Sequence, residues 1–324
     1  MEKEKTLMYA QPRIVSGSRS TTVASTSDTN SYKENPAQVS FEACGVSGVT
    51  YLDSKNTALS YPLCEEGSLG FSLVYNSDPV EIGELAVQDD IALCTNIQNY
   101  IGTGFKLSLD RYVFCSEGGT SSEINERTYC YVDGSGNTQE FLYSGKDNGW
   151  DAFLDTHNNE IKLRVDDDNE TISLHDKYGN VVHFSMSTGR VYAEDLIGGR
   201  TRRYSSNFVD GRFNSLIDSI GTNVTFNYNN SMVSSIVCKT KGMTETQSKQ
   251  LVFEYQTISG KQYLKKVVTN WVDDGVTTKQ KEINFEYENG KLTNCYEVVN
   301  KDFLQLTYSG DMLSGLAHKN ATKT

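Results

Sequence analysis

Few residues in this chain are of types and spacings that could do chemistry. His175 and His183 stand in the stretch LHDKYGNVVHF with Asp176 between them, a donor set of the kind that holds a metal ion. Neither belongs to a helical His-x-x-x-His arrangement, and both fall at strand and turn positions, so no metal is expected. The run Asp166-Asp167-Asp168-Asn169-Glu170 offers oxygens of the sort that bind Ca²⁺. It lacks the glycine and the spacing of an EF-hand loop, and it reads as a solvated turn between IKLRV and TISLH. No Gly-x-Ser-x-Gly elbow occurs, and no cysteine sits in a protease-like context. A pair of opposed carboxylates can be drawn from any chain with 42 acidic residues, so glycoside hydrolysis has no specific signal. The GTG and GSG stretches are hairpin turns and not phosphate cradles, because no helix follows them. The expectation is a non-enzyme with no catalytic residue, no metal and no cofactor. Of the aromatic residues, Trp150 and Trp271 lie near turns, in DNGWDAF and TNWVDDG, and are the candidates for stacking on sugar rings.

Composition narrows the partners. The 324 residues carry a net charge of −12, with an isoelectric point near 4.9. Phosphate binding needs a basic face, so nucleic acid and anionic membrane are not expected partners. Hydrophobic residues make up 37% of the chain and mean hydropathy is −0.49, with no run long enough for a membrane span. The opening MEKEKTLMYAQP lacks the apolar stretch of a secretory signal. The seven cysteines are odd in number and none is in Cys-x-x-Cys spacing, so they read as small buried hydrophobes.

The elements that must position any site are strands. Residues 1–40 are Ser/Thr/Asn-rich, bury little, and read as a flexible lead. Residues 41–160 form a β-rich region of short alternating runs, such as GSLGFSLVYNSD, GFKLSLDRYVFC and a hairpin around Asp133–Gly136. Within it, residues 79–102 are poor in β-branched and aromatic side chains before Ile97 and could hold a short helix or an insertion. Residues 161–324 repeat one unit. INFEYENGKLTNCYEV alternates Ile283, Phe285 and Tyr287 with polar residues, and then supplies Asn289-Gly290, the pair favoured in a two-residue hairpin turn. The same apolar-polar-apolar-polar-Tyr pattern occurs at Val224, Phe226 and Tyr228, at Leu251, Phe253 and Tyr255, and at Leu304, Leu306 and Tyr308. Weaker copies surround Val182 with Phe184, and Tyr204. A lone hairpin is marginal in water, so such units must pair edge to edge into one twisting, curved sheet. The class is all-β, an N-terminal β-rich region followed by serial hairpins in a shell-like sheet.

The stretch DKYGNVVHFSMSTGRVYAEDLIGGRTRRYSSNFVDGRFNSLIDSIGTNVTFNYNN resembles bacterial RHS, or YD-repeat, proteins. Their repeats look like Gly-Arg, a few residues, Tyr-Asp, a turn, Gly-Arg-Leu, then Ile and Asp. The segment from GSLGFSLVYNSD through GTGFKLSLDRYV to YVDGSGNTQEFLY resembles the part that precedes the repeats in that family. The match runs from about Gly45 to about Leu316. Here the anchor dipeptide is Tyr-Asn, Tyr-Gln, Tyr-Glu or Tyr-Ser in place of Tyr-Asp. The resemblance implies an exported or surface-displayed protein whose repeats wind into a hollow β-shell, in many relatives around a C-terminal toxin domain, in some linked to carbohydrate binding or cell contact. With some six recognisable units, this chain is expected to form the opening portion of a shell or a reduced relative. Its partner is then its own C-terminal domain, if the polypeptide continues, or a cell-surface glycan.

Overall fold

The computed structural model describes residues 38–43, 46–51, 57–64, 70–76, 100–117, 123–136, 138–155, 161–206, 212–298, 302–310 and 312–320. The lead read over residues 1–40 lies, except for its last three positions, outside the described residues. So does the helix or insertion considered over 79–102, up to position 99.

The described chain is built of antiparallel strands, with a single 3-10 turn at Ile124–Glu126. Five strands form a small sheet in chain order: β1 (Gln38–Ala43), β2 (Val46–Tyr51), β3 (Thr57–Cys64), β4 (Phe71–Asn76) and β5 (Phe105–Leu107). The chain then enters a ladder of 18 strands. It opens with β6 (Tyr112–Glu117), β7 (Thr128–Val132), β8 (Thr138–Asp147), β9 (Trp150–Asp155), β10 (Ile161–Asp166), β11 (Thr171–Asp176), β12 (Val181–Ser185), β13 (Val191–Leu196) and β14 (Arg200–Ser206). It continues through β15 (Phe213–Asp218), β16 (Asn223–Asn229), β17 (Met232–Lys239), β18 (Ser248–Ile258), β19 (Lys261–Asp273), β20 (Val276–Glu288), β21 (Lys291–Glu297), β22 (Asp302–Ser309) and β23 (Met312–Asn320). Among the described residues no pairing joins β23 back to β6, so the ladder is open. Its front edge nevertheless curls. Tyr112 bridges Arg190, the Val113 N–H donates to the Gly189 carbonyl at 2.8 Å, and the Val191 N–H donates to the Arg111 carbonyl at 3.2 Å.

Alternation decides which face is buried. In β16, Val224 and Phe226 are buried while Thr225 and Asn227 are exposed. The same holds for Leu251 with Phe253, Ile283 with Phe285, and Leu304 with Leu306. This apolar face is covered by the small sheet: β4 is buried on both sides, Tyr61 and Phe105 pack edge-on against Phe285 at 5.7 and 5.0 Å, and Tyr100 packs against Phe213 and Tyr228. The two sheets share one core.

The anchor tyrosines bind the hairpins into a series. The Tyr228 hydroxyl donates to the Phe213 carbonyl and that of Tyr255 to the Val233 carbonyl, both at 2.7 Å. Tyr287 reaches the Leu264 carbonyl at 2.7 Å and Tyr308 the Leu292 carbonyl at 2.8 Å. The last three acceptors are the residues that pair with the preceding anchor, Val233 with Tyr228, Leu264 with Tyr255 and Leu292 with Tyr287, while Phe213 pairs with Ser206. A β-bulge makes this possible. After Tyr228↔Val233 the register jumps to Asn227↔Ser235, and the same jump follows Tyr255, Tyr287 and Tyr308. A bulge leaves ladder groups unpaired. The skipped residue repairs this in three of the units: Ser234 donates to the Asn227 carbonyl, Thr293 to that of Glu286 and Ser314 to that of Thr307, at 3.1, 3.2 and 3.1 Å.

The front segment reads the same bulged backbone from inside. The Val233 N–H donates to the Tyr100 carbonyl at 2.9 Å, and the Leu292 N–H to the Tyr75 hydroxyl at 3.3 Å. Between them the Thr103 N–H donates to the Gln262 carbonyl at 2.8 Å. Gly102 holds φ +114°, and a Cβ there would stand 3.0 Å from the Leu264 nitrogen.

A buried hydroxyl-to-carbonyl bond contributes about 1 kcal/mol net, and its loss also strands the carbonyl. Tyr287→Phe is therefore expected to lower unfolding stability by about 1–2 kcal/mol. In a urea titration the midpoint falls while the slope is unchanged; an unmoved midpoint would show that the clamp carries no load.

Candidate functional site

The polar side chains collect in two places, one on each face of the early ladder. On the outer face, Ser173 of β11 stands opposite His183 of β12, and His175 lies two residues along on the same side. The Ser173 hydroxyl and His175 Nε2 are 2.9 Å apart. His183 Nε2 is 2.8 Å from an Asp195 carboxylate oxygen, and Arg203 donates to the other oxygen at 3.0 Å. Burial pushes the His175 ring down to about 4, with Arg164, His183 and Lys162 adding to the effect, so this imidazole is neutral at pH 7. Its neighbour Asp147 receives Lys162 and Arg164 at 2.7 and 2.8 Å, and those bonds hold its carboxyl down at about 2.

The two histidines of the sequence thus share a face, but each has its own partner, Ser173 for one and Asp195 for the other. Asp176 between them caps its turn, accepting the Tyr178 and Asn180 N–H groups at 2.9 and 2.8 Å. Among the described residues no group of three or more His, Cys, Asp or Glu side chains is placed to hold a metal. Two of the carboxylates read as a calcium candidate are engaged too: Asp166 accepts the Asn169 N–H and amide at 3.2 and 2.6 Å, and Asp167 pairs with Arg127 at 2.9 Å.

The inner site lies at the seam where β6 returns to β13. Glu194 is fully buried, with Arg111 at 2.5 Å from one oxygen, Arg202 at 3.4 Å from the other, and the Tyr204 hydroxyl donating to the first. Beside it Arg190 pairs with Asp110 and lies over the rings of Tyr100 and Phe213, at 5.6 and 5.7 Å. Burial by itself raises the Glu194 carboxyl, but Arg111, Arg202 and the Tyr204 hydroxyl outweigh it and hold the group below its ordinary value. A carboxylate with both oxygens engaged and its proton affinity lowered is a poor proton carrier. It acts as a bolt. Lys106, brought down to about 8 by burial, donates to the Asp133 carbonyl at 2.6 Å on the same side.

Sequence reasoning missed this seam. Its trace is in RTRRYSS, where Arg202 keeps phase with the buried Tyr204 while Arg203 faces out. The stacking candidates are not brought together. Trp150 opens β9 at a tight turn and is 38% exposed; Trp271 is half-buried within β19, paired with Lys249 and Thr278. Those strands are not neighbours in the ladder.

No model of a known protein family matches the sequence, and no curated protein matches it. Solved structures do. The Photorhabdus luminescens Tc holotoxin pore aligns with 94% of this chain at 9% identity and a TM-score of 0.46. A crystal structure of TcdB2-TccC3-TEV aligns with 91% of it, again at 9% identity, with a TM-score of 0.49. The chain spans about 20% of the length of each of these chains.

Replacing Glu194 by Gln removes the buried carboxylate that Arg111 and Arg202 share, a loss of about 3–5 kcal/mol at neutral pH. The sign with pH follows from the lowered carboxyl: its contribution is whole above the ordinary value of 4.5 and fades as pH falls through the lower folded value. Urea midpoints of the native chain are expected to drop on acidification below that value, and those of Glu194→Gln to start low and to drop less. Parallel acid limbs in the two proteins would rule out the bolt.

Proposed function

We propose that this chain is a non-enzymatic scaffold of RHS/YD type, a wall segment of a β-shell that is exported or displayed at a cell surface, and part of a longer toxin-delivery chain. The observation that carries it is the series of clamps from Tyr228 to Tyr308. They make each hairpin depend on the one before it and leave β23 with β22 as its one paired neighbour among the described residues. The sequence resemblance supports the toxin association and the export. The side chains best equipped for chemistry support the absence of catalysis, since His183 is hydrogen-bonded to Asp195, and Asp195, Asp147 and Glu194 are engaged in ion pairs with arginines. The enclosed partner on this reading is the C-terminal domain of the same polypeptide.

A carbohydrate-binding or adhesive module is the second reading. It rests on Trp150, exposed beside a turn whose Asn148 and Gly149 have φ of 53° and 89°. Indole faces presented this way stack on sugar rings.

A glycan array separates the two. The scaffold reading expects no saturable binding that responds to Trp150→Ala. Saturable binding by the native chain, lost in that variant, would replace the scaffold with the adhesive module.

A further inference from the structure

One amine stands apart from both the tyrosine clamps and the ion pairs of the seam. Lys106, partly buried, lies on β5, the short strand that ends the small sheet. Its amine donates to the Asp133 carbonyl at 2.6 Å and stands 5.6 Å from the centre of the Tyr112 ring. That acceptor is neutral. Burial, with Arg190 and Arg111 adding to it, outweighs Asp110 and Asp133 and brings the amine down to about 8.

An amide converges on it from the next strand. Val74 pairs with Lys106 and Tyr75 with Phe105, so Asn76 is diagonal to Lys106 on the same face of the small sheet, within reach of a long side chain. Asn76 is buried; its N–H donates to the Gly104 carbonyl at 2.8 Å and its amide nitrogen to the Ser135 carbonyl at 3.5 Å. Gly136 measures how near the two side chains come. A Cβ there would stand 2.6 Å from Asn76 Nδ2, 3.6 Å from its Cγ and 3.8 Å from Lys106 Cδ. The glycine leaves room for both at one point beside the turn from β7 to β8. Asp133 belongs to that turn. Its carbonyl holds the amine, and its carboxylate is fixed through Oδ1 by the Ser135 N–H and hydroxyl at 2.8 and 2.6 Å.

We propose that Lys106 and Asn76 are the site of a spontaneous isopeptide bond, with Asp133 as the proton carrier. The ammonium gives one proton to the Asp133 carboxylate. The neutral amine attacks Cγ of Asn76, so the Nζ–Cγ bond forms and the Cγ–Nδ2 bond breaks. Nδ2 receives the proton held by Asp133 and one from the attacking nitrogen; it leaves as ammonium, and Asp133 is again ionised. An ammonium and a primary amide thus become a secondary amide and free ammonium, with no oxidant, reductant or cofactor. The fixed approach of the two groups replaces activation of the amide, and the lowered proton affinity of Lys106 leaves part of the amine neutral and nucleophilic. The product removes a charge from an enclosed place and ties β4 to β5 beside the seam. The inference stands independently of the scaffold reading.

The test is the mass of the intact full chain, measured after denaturation. The expected result is a mass lower by one ammonia than the sequence requires, with a branched peptide on digestion that joins the segment of Asn76 to that of Lys106. Lys106→Met and Asn76→Ala are each expected to restore the full mass. Either change could disturb folding, so Asp133→Asn is the second arm: it keeps an acceptor for Ser135 but cannot carry the proton. With its native circular dichroism retained, most of that variant is expected to remain unlinked. Four results overturn the proposal: the full mass in the native chain, an ammonia loss that persists in Lys106→Met, a branch from Lys106 to Asp133 in place of Asn76, or complete linkage in folded Asp133→Asn.

Discussion

The bond from each anchor tyrosine to the carbonyl of the unit before it is what the rest of the ladder depends on. It needs two things at once. The register must jump, because a regular ladder would turn that carbonyl to an ordinary neighbour. A long side chain with a donor at its tip must then reach it from the next strand. The bulge supplies the first and Tyr the second. Phenylalanine could fill the same volume but would leave a carbonyl unmatched in the core, and buried main-chain polar groups are rarely left so. Burial also pushes the hydroxyls of Tyr255, Tyr287 and Tyr308 well above their ordinary range, so each stays protonated and able to donate.

The two ends of the ladder are held by different means. From Tyr228 onward the holding groups are neutral, short-range and repeated. At the front, where β6 folds back on β13, they are ionic and single, centred on Glu194 and Arg190. The difference follows from what each must specify. A serial clamp works only between consecutive units. The seam joins residues distant in sequence, Asp110 and Arg111 with Arg190 and Glu194, and needs a contact that no slipped register can satisfy. Buried ion pairs add little net stability, because desolvation consumes most of the attraction, but a wrong pairing would leave charges bare. The front sheet links the two regimes: Tyr100 lies under Arg190 and accepts from Val233, and Tyr75 meets both Leu292 and Tyr308.

How much of this the sequence discloses varies by element. The anchor strands are legible, because alternation of Ile283, Phe285 and Tyr287 with polar residues has one structural reading and Asn289-Gly290 ends it. The bulges are not. The skipped residues are Ser234, Lys265, Thr293 and Ser314, none a glycine or proline and all unremarkable in a strand. The acceptors of the clamps are hidden for the same reason, since they emerge only when pairing is known. The seam is nearly invisible, because an arginine in an apolar phase, such as Arg202, gains meaning only beside a carboxylate brought from another strand. The histidine pair misleads in the opposite direction: His175 and His183 do share a face, yet the strand spacing gives each a nearer partner than the other.

The irregular spacing of the anchors finds its explanation in the same geometry. All four clamps sit beside the hairpin turns that follow Tyr228, Tyr255, Tyr287 and Tyr308, at one margin of the ladder. The variation lies at the opposite margin, where β19 and β20 run on to the turn at Asp274-Gly275 and end with Val276 67% exposed. Residues added there lengthen two strands together and leave every clamp offset unchanged. A wall built this way can alter its height and outer surface without loss of register, and selection on that far margin need not disturb the core. Glu194, Arg190, Asp195 and Asp147 are meanwhile engaged in ion pairs that hold strands together.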